Sequence, residues 1–69
     1  MNTFIARRTH KHKHDKDSEI VGEYTCLADA RFFGVYEDKY INDPEFEIYQ
    51  YDIDEFTENG DYVRTYWDE

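Results

Sequence analysis

His10, His12 and His14 alternate with lysines along five residues and are the most conspicuous potential metal ligands in the chain. On an extended segment their Cα atoms fall about 6.6 Å apart along one side, so they converge on a divalent cation only if the backbone curls. Lys11 and Lys13 between them oppose a cation. The pattern therefore reads as a basic, solvated loop, and neither a metal nor a cofactor is expected. Cys26 with histidines elsewhere superficially suggests a nucleophile and a base. Its place at the start of an expected helix, on the core side, favours a small buried apolar residue instead. Three scattered glycines make no phosphate-binding loop, and carboxylate pairs are frequent only because carboxylates are frequent. No catalytic residue is expected, and the chain is not read as an enzyme.

The carboxylates carry the stronger signal. The net charge of −9 is uneven: residues 1–16 carry +4 and residues 17–69 carry −13. Glu45 with Glu47, and Asp52 with Asp54, form i,i+2 pairs that would project from one face of a strand about 6.6 Å apart. Glu55, Glu58 and Asp61 continue the negative charge around a hairpin, and Glu37, Asp38 and Asp43 add to it where the helix ends. Like charges repel one another and weaken a compact state, a cost that favours use over accident. Plain solubility is the competing explanation.

The elements that must position these residues follow from local pattern. Residues 3–9 read as a first strand and 19–24 as a second, with residues 10–18 a basic loop or hairpin tip between them. Thr25 is placed to cap a helix over about 26–40, with Leu27, Ala30, Phe33 and either Glu37 or Tyr40 on one stripe. Gly34 weakens its middle, and Asn42-Asp43-Pro44 ends it. Residues 45–53 read as a third strand whose apolar phase shifts, which suggests a bulge. Asn59-Gly60 is a two-residue hairpin signal that pairs Phe56 with Val63 and Glu55 with Arg64, making 62–67 a fourth strand. The order is β-β-α-β-β: an α+β domain, with an antiparallel sheet of about four strands and one helix packed on a face.

With 69 residues the chain has room for one domain, which buries only about 60% of its unfolded surface. A 19% aromatic content, including seven tyrosines, offsets a core poor in leucine and supplies interface residues. A homodimer would relieve the small core further. One cysteine cannot form an internal disulfide, and no stretch approaches a membrane span, so a cytoplasmic protein without membrane contact is expected.

Duplex DNA, itself densely negative, would repel such a surface, so no direct nucleic-acid contact is expected. A basic DNA-binding protein is the complementary partner. The small size, the lone cysteine and the acidic run Glu45-Phe46-Glu47-Ile48-Tyr49-Gln50-Tyr51-Asp52-Ile53-Asp54-Glu55 resemble the small DNA-mimic inhibitors made by bacterial viruses. That resemblance implies a protein that blocks the DNA-binding face of a host target, with the histone-like protein HU first and RNA polymerase or a defence nuclease next. The stretch from Ile20 to Thr25, the alanine-bearing helix and the acidic run are also similar to short domains of bacteria and their viruses that combine a strand, a capped helix and an acidic strand. Two alternatives stand beside the mimic: an interaction module that binds through surface tyrosines, and a metal-binding regulator that uses the histidines.

Overall fold

A computed structural model describes residues 1–12 and 18–67. Strands β1 (Thr3–His10), β2 (Ser18–Tyr24), β3 (Tyr49–Phe56) and β4 (Tyr62–Trp67) form one antiparallel sheet in the order β2-β1-β3-β4. Between β2 and β3 runs a single helix, α1, over residues 27–42. The β-β-α-β-β order and the α+β class are as the sequence implied. Part of the expected basic loop, residues 13–17 with His14, lies outside the described residues.

β1 is central and alternates its side chains between the faces of the sheet. Ala6 meets Ile53 and Arg8 meets Tyr51 on the side covered by α1, while Ile5 meets Asp54 and Arg7 meets Asp52 on the other. The core is correspondingly thin: Ala6, Ala30, Val35, Tyr51 and Ile53 are buried, with Phe4, Val21, Tyr24, Leu27, Tyr49 and Tyr66 packed around them.

Several local expectations are corrected. Cys26, not Thr25, caps α1, its Sγ accepting the Asp29 N–H at 3.4 Å, and the thiol is exposed instead of facing the core. Residues Ala30–Tyr36 form a π-helical stretch. Its i→i+5 spacing turns Ala30 and Val35 onto the core face together and leaves Phe33 61% exposed, where an ordinary helical stripe would have buried it; Glu37 and Tyr40, the alternatives for the next stripe position, are both exposed. Gly34 lies against the sheet, since a Cβ there would stand 2.8 Å from the Ala6 Cβ. It lets the helix approach closely.

β3 starts at Tyr49, four residues later than expected, so the shift in apolar phase marks a loop-to-strand boundary and not a bulge. Its pairing with β1 is continuous; the irregularities fall at Ala6/Arg7 toward β2 and at Glu55/Phe56 toward β4. Glu55 faces Arg64 as expected, but Phe56 faces Tyr62 instead of Val63. The hairpin closes with three residues, not two. Thr57 N–H donates to the Asp61 carbonyl at 2.8 Å, and Gly60 takes φ 88°, a backbone region open to glycine.

Candidate functional site

The ten carboxylates expected to form one surface divide into two populations. Asp43 is 1% exposed. Its Oδ1 accepts the N–H groups of Glu47 and Ile48 at 3.1 and 3.2 Å, and its Oδ2 those of Ile48 and Tyr49 at 3.2 and 2.8 Å. Burial pushes this carboxyl upward, but the amides of Tyr49, Ile48 and Glu47 outweigh it and hold the pKa below the ordinary carboxylate value. Asp54 is also buried, accepting from Arg7 at 2.6 Å and from the Thr65 hydroxyl at 2.7 Å. Both acids organise the fold and are withdrawn from the surface.

Three more are partly withdrawn. Asp38 accepts from the Tyr51 hydroxyl at 2.6 Å, from Arg8 at 2.8 Å and from Asn42 at 2.9 Å. Burial and this carboxylate together raise the Tyr51 phenol, while bonds to Glu19 and Asp38 keep Arg8 firmly charged. Glu55 accepts from Asn2 at 2.6 Å and Tyr66 at 2.7 Å, which lower its pKa. Asp52 is half-buried with Oδ1 enclosed and without a hydrogen-bond partner among the described residues. Burial, then the neighbouring Asp54, raises its pKa.

Glu37, Glu45, Glu47, Glu58 and Asp61 remain exposed. Glu45 and Glu47 stand on the loop before β3, so they do not form the strand-borne pair that their spacing suggested. Glu58 and Asp61 flank the hairpin tip at the other end of β3, and Glu58 pairs with the amino-terminal ammonium. Eight residues of strand separate the two groups, roughly 26 Å at 3.3 Å per residue. The acidic surface has two poles, not one row.

His10 and His12 sit against the loop before β3 and the first residue of that strand. His10 packs edge-on against Tyr49, and His12 bonds the Glu47 carbonyl through Nε2 at 2.9 Å. Among the described residues no group of three or more His, Cys, Asp or Glu is placed to hold a metal. Sequence reasoning missed the exposed aromatics of α1. Phe32, Tyr36 and Tyr40 are 63%, 47% and 82% exposed, and their i,i+4 spacing was the available signal. It also missed a cleft of about 620 Å³ between α1 and the loop before β3, whose rim includes Lys11 and Lys39. No described helix is long and apolar enough to cross a membrane. No protein-family model, curated protein or solved structure matches the chain.

Proposed function

We propose that the chain is a non-catalytic cytoplasmic binding protein that occupies the nucleic-acid face of a basic protein by presenting DNA-like negative charge. The observation that supports this reading is the contrast between the two signs of charge. Arg7, Arg8 and Arg64 are matched to carboxylates within the fold. Glu37, Glu45, Glu47 and Asp61 are exposed and have no ion-pair partner among the described residues. Glu45 and Glu47 precede β3 and Asp61 follows it, so they stand roughly 26 Å apart along the strand, a span comparable to one turn of duplex DNA. An abundant HU-like protein is the first target to test, with RNA polymerase or a defence nuclease next. The chain should displace a labelled duplex from an HU-like protein at low salt, with the effect fading as salt rises. Failure to displace at any salt concentration sinks the proposal.

A second reading is favoured by the exposed side of α1, where Phe32, Phe33, Tyr36 and Tyr40 offer apolar area to a partner while the acids serve solubility. Binding of that kind survives salt that screens exposed charge. A homodimer is a separate proposal, tested by sedimentation: a species of 8.5 kDa at every concentration excludes it.

A further inference from the structure

Once the fold has met its own needs, two kinds of group are left outward around one hollow between α1 and the loop before β3: aromatic rings, and carboxylates beside them. We propose that this patch docks an arginine-bearing segment of a basic partner, with guanidinium groups stacked on Tyr36, Tyr40 and Phe46 and paired to Glu37 and Glu45. The inference rests on the reading that the outward acids meet a basic partner, and adds what on that partner they meet.

The rings are contiguous. Phe32 meets Tyr36 edge-on with centroids 5.7 Å apart, and Tyr36, Tyr40, Pro44 and Phe46 border a hollow of about 360 Å³. Phe32, Tyr36, Tyr40 and Phe46 are all exposed, Tyr40 most of all. Single exposed aromatics are ordinary on a small domain, but a continuous strip marks an interaction surface. Phe46 is also fixed in place by its backbone, at φ 58°. A bulky residue persists there only where its surroundings over-determine it. Here its carbonyl accepts from Lys11 Nζ at 2.7 Å and its N–H donates to the Asp43 carbonyl at 3.1 Å. The ring is therefore held outward before any partner arrives, which lowers the cost of ordering it on binding.

The charge beside the strip selects its occupant. Glu37 stands three residues before Tyr40 on the regular end of α1, so the two are neighbours on the helix surface, and Glu45 adjoins Phe46. Both acids are exposed and without an ion-pair partner among the described residues. Lys39 borders the hollow too, but its ammonium lies 5.0 Å from the Phe46 ring centroid and 5.3 Å from that of Tyr51 and feels the Asp43 carboxylate, so its charge is met within the fold. Tyr49 likewise has Arg8 at 5.1 Å. Among the described residues no cation lies over Phe32, Tyr36 or Tyr40. An apolar segment seated here would strip water from Glu37 and Glu45 and return nothing. A second copy docking through the same patch would set these acids against themselves, because an isologous contact brings like residues together. Of the two strong cations, arginine fits both kinds of group at once: its planar guanidinium stacks on a ring face while its N–H groups fork onto a carboxylate, and it is more weakly hydrated than an ammonium.

NMR titration of the full chain with a short arginine–serine peptide, and with the same peptide carrying lysine or citrulline in place of arginine, tests this. The arginine peptide should saturate with shifts centred on Tyr36, Glu37, Tyr40 and Phe46 and bind about fivefold more tightly than the lysine peptide, and the uncharged citrulline peptide should not saturate. Tyr40→Ala, at a side chain too exposed to carry the fold, should bring the arginine-to-lysine ratio close to one, and Tyr40→Phe should restore it. Glu37→Gln should weaken both charged peptides alike, by about threefold to fivefold. Equal binding of the arginine and lysine peptides by the native chain, or an arginine preference unchanged in folded Tyr40→Ala, overturns the inference. Displacement of duplex from an HU-like protein without any arginine preference sinks this inference and leaves the DNA-face reading standing; an arginine preference without displacement does the reverse.

Discussion

The loop over residues 43–48 and the hairpin tip over 57–61 both reverse the chain and are both acidic, yet their carboxylates do opposite things. In the first, Asp43 turns inward and three backbone N–H groups converge on it. In the second, Thr57 holds the turn: its Oγ accepts the Asp61 N–H at 3.1 Å, its own N–H reaches the Asp61 carbonyl, and Glu58 and Asp61 are left exposed. Whether a carboxylate is structural or available is decided by converging amides, not by residue type or spacing.

The contrast is broken most severely at Asp43. Asp43→Ala should destabilise the domain by about 3 kcal/mol or more, because three amides lose their acceptor at once, and denaturant unfolding would show it. The sign with pH follows from the depressed carboxyl. Its contribution is complete above the ordinary value of 3.8 and is lost as pH falls through the lower folded value, so the gap between the native chain and the variant narrows in acid. At the hairpin, Gly60→Ala should cost about 1 kcal/mol through its left-handed φ alone, since nothing lies within 4 Å of the added Cβ. Smallest is Asp52→Asn, which removes an enclosed charge beside Asp54 and should raise stability by up to about 1 kcal/mol. A melting temperature lower than that of the native chain would contradict it.

The sequence was most informative where a signal was local and periodic. The breaker-free run of β-branched and aromatic residues in β1 and the Glu55–Arg64 pairing across the last hairpin placed the sheet, and the Asn42-Asp43-Pro44 breaker ended the helix close to its observed limit. What it hid depends on tertiary context. The π-helical stretch leaves Phe33 outward, although a period of 3.6 sends it inward, and neither Glu37 nor Tyr40 joins the buried stripe. Asp43 and Asp54 look like their exposed neighbours until the amides and Arg7 that surround them are known. Phe46 carries no mark of its left-handed backbone, because that conformation is imposed by Lys11 and Asp43 from elsewhere in the chain.

The central claim, that the outward acids bind a basic DNA-binding face, is tested most directly by charge reversal at those acids alone. The variant Glu37→Lys, Glu45→Lys, Glu47→Lys, Asp61→Lys leaves Asp43 and Asp54 in place, so its fold should be nearly unchanged. Fluorescence anisotropy of a labelled duplex bound to an HU-like protein reads the competition. The native chain should release the duplex and the folded variant should not. Equal displacement by both would contradict the account.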